Sequence, residues 1–594
     1  PESYWGEGLR RDPLDARCNI AMGRQKLQRC QYSEAESHFS TAISRLTCRH
    51  PNPESGEGHY CLGLSLRYQD EVEGAYSAFY KATWNYEWRA AAYYELAALD
   101  MRKEQWEVAL EHLEASLDTN RLNNKASVAM AICFRKLDRK EEARGVLLNL
   151  LERDALDHWA RFEEKLLTGQ AFFEGDLSRN DAQTLLDVAF DYGDLGCCEE
   201  GSRLLEEHHN HEVVKVVVPN PMERNAITHY AQGWLLFRDG KSAEGLKKLS
   251  EARKLSPDYA FPSRPHEEIV LRWALSQDGP DHIAAYGLGN LYFDRKRHRD
   301  AIVMWERAEF ADLSHATTLR NLGIANWNIL RDGEKAKGYY ARALECAPKD
   351  SRLIAETVQL WEKMGVSSDQ QLSFLEERMK LVLERDDATV ELTRLYNETG
   401  APQKALDILN DRSFHPWEGG EGKVLRQYTT ARLLLGQEAL EEDRHQDAVQ
   451  HFELAMDTPD TLGEKYHLLQ AKADVSYWQG RGYRAIGSEE KALACFESAA
   501  KESGDFQNMA VTEFSDLTIY KARAMFELGQ KGEAKSLLES MQKHCEDQKN
   551  KKAEIDYFAT SLPNLLVFEE DIDEVHVKEQ EKLIDLAKEA LTLL

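Results

Sequence analysis

Three alanines, Ala75, Ala109 and Ala143, recur every 34 residues, and each is followed four residues on by a bulky apolar side chain: Phe79, Leu113 or Leu147. Twelve residues before each alanine stands a second small residue, Gly63, Ala97 or Ala131, itself preceded by Leu62, Leu96 or Met130. A pattern of that length describes a unit of two helices. Small residues where the helices touch let the backbones approach, and a large neighbour fills the remaining gap. Enlarging such a packed small residue costs about 1–3 kcal/mol. Each unit leaves an apolar face that only the next unit can cover, so the expected fold is an all-α stack of hairpins growing along one axis.

The same pattern recurs along most of the 594 residues. YWGEGLRRDP, near the start, reads as the end of a second repeat helix with its closing proline, which implies a portion upstream of Pro1. A first full unit over 16–47 has Gly23, Ala35, Phe39 and Ala42 at the packing positions, and the three founding units follow. After Asp157 an inserted segment, HWARFEEKLLTGQAFFEGDLSRNDAQ, is expected to add a helix and a loop before the unit at Gly201. The β-branched run EVVKVVVPNP reads as an extended connector. It precedes a unit carrying Gly233, Gly245, Leu249 and Ala252, and a second interruption, DYAFPSRPHEEIVLRWALSQDGPD, follows that unit. Gly289, Ala301, Trp305 and Ala308 are matched by Gly323, Ala336, Tyr340 and Ala343, with one extra residue expected in the hairpin turn around Asp332 and Gly333. Weaker units follow at 351–386 and around Tyr396, Ala405 and Leu409. Three clearer ones are marked by Gly436 with Phe452, Gly480 with Phe496, and Ala522 with Leu538.

The resulting division is N-terminal repeats over 1–157, repeats with insertions over 158–280, central repeats over 281–413 and a Gly/Trp-rich loop over 414–428. C-terminal repeats over 429–545 and a non-repeat segment with a terminal helix over 546–594 complete it.

A formal net charge of −28 and the absence of a basic stripe argue against nucleic acid and anionic membrane as partners. A basic or neutral protein surface suits that field. The ten cysteines contain no C-x-x-C, and those at helical positions, Cys61, Cys133 and Cys495, read as small buried hydrophobes in a reducing compartment. No run is long enough to cross a bilayer and no signal-peptide pattern opens the chain, so a cytoplasmic location is expected.

The period and the small–large pattern resemble the tetratricopeptide repeat superfamily. The resemblance implies a right-handed superhelical α-solenoid of about thirteen hairpins, whose first helices line a concave groove for an extended peptide or a partner domain. The loops FYKATWN, SPDYAFPSR, FHPWEGGEGKV and DYFATSLPNLLVFEEDI are similar to segments of long bacterial and fungal proteins. Those proteins join an N-terminal β-rich domain of unassigned function to an array of this kind, which implies that the array docks such a domain of its own protein. In chaperone-associated members a carboxylate clamp grips a peptide C-terminus. Asn290 and Asn321 fall at two of its positions, but Tyr286 stands where the first lysine belongs and the third repeat lacks the Lys and Arg.

Other constellations are weaker. His208, His209 and His211 lack a spaced second ligand group and read as a solvated helix end, so no metal or other cofactor is expected. GGEGK at 419–423 lacks the leading glycine and the hydroxyl of a phosphate loop. Tryptophans at repeat positions, such as Trp305, read as core; Trp84, Trp88 and Trp417 sit in or beside connectors, where each ring either plugs the gap between neighbouring repeats or, exposed, meets a partner or a sugar. FHPWEGGEGKV is expected to be an ordered loop projecting into or across the superhelix, either as a ligand or partner surface or simply as a cap on the repeat at Ala405. Glu418 and Glu421 beside Trp417 supply the paired carboxylates that glycoside chemistry would use. The candidate partner- or ligand-binding residues are therefore Trp84, Asn85, Tyr259, Arg264, Asn290, Asn321, His415, Trp417, Glu418 and Glu421, and no catalytic residue is singled out. The expected function is a non-enzymatic interaction array; its rival is the helical part of a carbohydrate-active protein contributing to a shared glycan site.

Overall fold

The computed structural model describes residues 2–170, 181–210, 225–258, 260–415, 417, 420–467, 470–507, 510–553 and 567–593. It is an all-α repeat array that divides into two compact units, residues 1–313 and 314–594.

In the first unit the helix Glu2–Arg11 precedes four regular hairpins. These pair Ala16–Gln28 with Tyr32–Leu46, Glu57–Tyr68 with Val72–Ala82, Tyr86–Arg102 with Trp106–Thr119, and Asn124–Lys136 with Lys140–Arg153. The small–large code is literal. A methyl group on Gly23 would lie 2.7 Å from the Phe39 ring and one on Gly63 2.5 Å from the Phe79 ring, and both rings are wholly buried. Asp15, Asn85, Asn123, Asp157 and Asp181 cap first helices by accepting a backbone N–H from the first turn. Each hairpin turn closes with a six-to-one bond, such as Glu71 N–H to the Leu66 carbonyl (2.9 Å) and Gln105 N–H to the Asp100 carbonyl (3.0 Å). That closure places Asp70, Glu104 and Asp138 at φ of 62°, 57° and 60°.

The segment inserted after Asp157 joins the stack. Its helix His158–Thr168 packs Trp159 and Phe162 against Tyr192 of the helix Ala182–Asp194, and residues 171–180 lie outside the described residues. The hairpins Ala182–Asp194 with Cys198–Asn210 and Ala226–Arg238 with Ser242–Ala252 cross glycine on backbone; a methyl on Gly233 would sit 2.9 Å from the Gly245 carbonyl oxygen. The β-branched connector falls outside the described residues. Within the second interruption lies the helix Pro265–Ser276, and the hairpin of His282–Asp294 with His298–Ala311 ends the unit. Arg297 then reaches back to donate to the carbonyls of Arg29 (3.3 Å) and Cys30 (3.4 Å).

The second unit opens with Ala316–Ala325, which runs on into a π turn, Asn326–Leu330, before Gly333–Cys346. The extra residue is therefore absorbed in the first helix. Asp332 is free of that role and caps the next helix, accepting from Lys335 N–H at 3.0 Å. Ser351–Lys363, Ser368–Glu376 and Met379–Val382 form the weak unit that follows, then Asp386–Glu398 with Pro402–Asp411. Three hairpins come next: Lys423–Glu441 with His445–Met456, Ala473–Ala485 with Glu489–Lys501, and Thr518–Glu527 with Lys531–Gln548. A two-stranded antiparallel ribbon, Asp505–Gln507 with Ala510–Thr512, interrupts the helices. The terminal helix Ile572–Leu593 buries Ile584, Ala587 and Ala590 against the last hairpin.

Two readings of small clusters need correction. Cys61 and Cys133 are buried, but Cys495 is only half-buried, and Cys48 and Cys346 are exposed. His208 is fully buried and His209 stacks on His229 at 3.8 Å while bonding to the Thr228 hydroxyl (3.0 Å). This helix end is therefore packed, because the next first helix, Ala226–Arg238, covers it; His211 lies outside the described residues.

Candidate partner-binding surfaces

Four of the ten residues singled out by sequence, Asn85, Arg264, Asn290 and Trp417, hold the array itself together. Asn85 caps the helix Tyr86–Arg102 and donates to the Glu54 carbonyl (2.7 Å). Trp84 is 45% exposed, and the Lys81 ammonium sits 3.8 Å over its ring. Trp88 packs on Tyr60. Arg264 binds Asp187 (2.5 Å), Gln183 (2.8 Å) and Glu267 (3.0 Å), tying its loop to the helix Ala182–Asp194. Asn290 accepts the Trp305 indole N–H (3.1 Å), and Asn321 is half-buried on the helix Ala316–Ala325. Tyr259 and Glu418 lie outside the described residues.

The Gly/Trp-rich loop folds back onto the array. Phe414 is buried and donates its backbone N–H to the Thr461 carbonyl (2.8 Å), and Trp417 packs against the same core. Gly420 lies directly under the Trp417 ring, where a side chain has no room. Glu464 accepts from the N–H groups of Gly422 (2.7 Å) and Leu425 (2.9 Å) at the start of the following helix, where a carboxylate suits the helix dipole. His415 and Glu421 remain exposed at its rim. The tryptophan is thus a plug, and of the two roles open to the loop its contacts match the one that caps the hairpin at Ala405.

In the first unit, four helices, Glu57–Tyr68, Tyr86–Arg102, Ala182–Asp194 and Pro265–Ser276, converge on a buried charge network. Arg67 pairs with Glu95 (2.8 Å) and Asp194 (3.4 Å); Arg102 donates to the Asp194 carbonyl (2.7 Å); His266, set between Tyr68 and Phe190, bonds Asp194 at 3.0 Å. Burial opposes the charge on Asp194, but Arg67 and His266 outweigh it and hold the carboxyl far below its ordinary range. Glu95 goes the other way: burial pushes it up, and Arg67 offsets that only in part.

In the second unit the π turn holds a non-helical piece of the chain's own backbone, residues 567–570. Asn328, itself buried, donates to the Val567 carbonyl (3.0 Å) and accepts the Glu569 N–H (2.9 Å). The Trp327 indole N–H (3.0 Å) and Arg331 (3.4 Å) both donate to the Glu569 carbonyl. Phe568, 1% exposed, fills a socket against Tyr340 and Trp327, and Lys363 meets the Glu570 carboxylate at 2.6 Å. Sequence reasoning missed this group. Its one signal was the 35-residue step from Ala301 to Ala336, since the inserted residue makes the π turn that carries Trp327 and Asn328.

Among the described residues no three His, Cys, Asp or Glu side chains are grouped to hold a metal, and no helix is long and apolar enough to cross a membrane. A sequence profile of the tetratricopeptide repeat matches residues 286–351. Solved structures similar to this chain include YrrB, described as a tetratricopeptide-repeat protein with an unusual peptide-binding site. It is 16% identical, the match covers 39% of this chain and 90% of that one, and the TM-score is 0.23. A second is Naa15/Naa10 bound to HypK-THB, 14% identical, covering 100% of this chain and 91% of that one, with a TM-score of 0.24.

Proposed function

We propose that this all-α repeat array, in which residues 286–351 match the tetratricopeptide repeat, is a protein-interaction array whose second unit grips a segment of a partner and whose first unit is a support. The observation that carries this reading is the two-point pairing of Asn328 with the backbone of Val567 and Glu569. A side-chain amide that satisfies one carbonyl and one N–H of a non-helical segment reads backbone, which every peptide offers. One such partner is the β-rich domain that the loop resemblance implies for the same protein, contributing an extended loop or edge strand. The rival glycan reading is weakened because the Trp84 face carries Lys81 and the Trp417 face carries Gly420.

Panning a displayed library of random peptides against the chain tests the proposal. Binders should be enriched, and their recovery should fall when Asn328→Ala removes the backbone pairing. Recovery that ignores Asn328 would take the binding away from this groove, and a library with no binders, or turnover of a glycoside by the chain, would overturn the reading.

A further inference from the structure

The groove that reads backbone also makes two side-chain demands, and these specify its ligand. Phe568 is the one side chain of the bound segment that is wholly enclosed; Val567 is half-buried, and Glu569 and Glu570 are exposed. Its socket is aromatic, with ring centroids 5.5 Å from Tyr340 and 6.3 Å from Trp327 in tilted and edge-on geometry, the arrangements that ring quadrupoles favour. Two residues on, Glu570 meets the Lys363 ammonium, a contact that any carboxylate at that position would reproduce. Glu569 contributes only backbone, its N–H to Asn328 and its carbonyl to Trp327 and Arg331.

The remaining contacts are the kind an incoming strand would inherit unchanged. All the backbone bonds go to side chains of the array, so exchanging one segment for another on the same backbone path loses none of them. The socket is built on the array: Tyr340, seated on Gly323, shares one core with Leu319, Leu353 and Leu360, and Phe568 completes that core where an incoming aromatic ring would take its place.

We propose, building on the interaction-array reading, that this groove is a binding site for partner segments of the pattern aromatic, any residue, acidic residue, and that Val567–Glu570 is its resident competitor, which a partner displaces. A tethered segment is present at an effective concentration of about millimolar, so it occupies the groove most of the time and lowers the apparent affinity for a free peptide by the vacant fraction.

The test uses the full chain and a fluorescein-labelled peptide, Val-Phe-Glu-Glu-Asp-Ile, followed by polarisation. Wild-type chain should bind weakly. The Phe568→Ala, Glu570→Lys chain, whose own segment can no longer compete, should bind about tenfold or more tightly, and adding Asn328→Ala to it should abolish binding. A second arm does not depend on emptying the groove. In a Lys363→Glu chain the preference should invert, so that a peptide with Lys in place of its second Glu binds a few fold better than the native peptide, about the worth of one partly exposed ion pair. Equal binding by the wild-type and Phe568→Ala, Glu570→Lys chains would overturn the competition. No inversion in the Lys363→Glu chain would overturn the acidic requirement. If neither peptide binds any chain while library binders persist, the ligand class is wrong and the interaction-array reading stands.

Discussion

Each unit spans its own interior, and the two do so by opposite chemistry. In the first, Arg67, Glu95, Arg102, Asp194 and His266 are drawn from four helices into a desolvated network in which each charge is compensated by another. In the second, Asn328, the Trp327 indole and Arg331 hold the main chain of residues 567–569, and a single phenylalanine supplies the buried apolar area. The difference concerns what can be exchanged. A buried ion network is specific to its members, because removing one leaves an uncompensated charge; a backbone clasp accepts any strand whose side chains fit. Rigidity and exchangeability have thus been separated between the two units.

The sharpest way to break that comparison is Arg67→Met. It leaves Asp194 and Glu95 facing one another without their shared cation, and the first unit should lose about 3–5 kcal/mol. Differential scanning calorimetry with hydrogen exchange should show the loss within residues 1–313 and leave the exchange of 314–594 unaltered. Unchanged protection in the first unit would mean that the network is ornamental.

Next come substitutions that should treat the units alike. Gly63→Ala and Gly436→Ala each drive a methyl into a buried ring, Phe79 or Phe452. Each should cost about 1–3 kcal/mol of its own unit's stability, read from the denaturation midpoint. A large effect in one unit and none in the other would deny them a common packing code.

The smallest expected effect is confined to the first unit and depends on pH. Burial, with Lys248 next, holds His229 down at about 4, and burial with His229 and His208 holds His209 down at about 2, against an ordinary 6.5. The fold therefore favours the neutral rings. Above pH 6.5 their contribution is complete, and as the pH falls from 6.5 towards 4 the unfolded chain takes up protons that the folded one refuses, so stability declines by roughly 1–3 kcal/mol. The His209→Gln, His229→Gln chain should show a flatter melting temperature between pH 6.5 and 4.5; the same slope in both chains would assign it to other groups.

The repeat was legible because its information is local. A glycine or alanine at one position of a helix and an aromatic ring on the next are sequence neighbours, and a 34-residue period writes their contact into the chain many times over. Fold class, hairpin register and the buried set, including Phe39, Phe79, Trp305, Phe452 and Phe496, follow from that alone. The caps at Asp15, Asn123 and Asp157 belong to the same short-range chemistry.

Only the tertiary structure decided what meets across each unit. Asp194 lies far along the chain from Arg67, and Phe568 from Trp327, and no periodicity encodes such pairs. The same limit explains the misread histidines, since His208 and His209 end a helix and look solvated until a later helix covers them. It applies to Trp417 as well: sequence left open whether its ring plugs the array or meets a ligand, and the fold of the loop back onto the array makes it a partly buried plug. Local packing is a property of the repeat and is written in each copy. The placement of distant side chains depends on the accumulated path of all the hairpins between them, and an extra residue in one π turn is enough to redirect it.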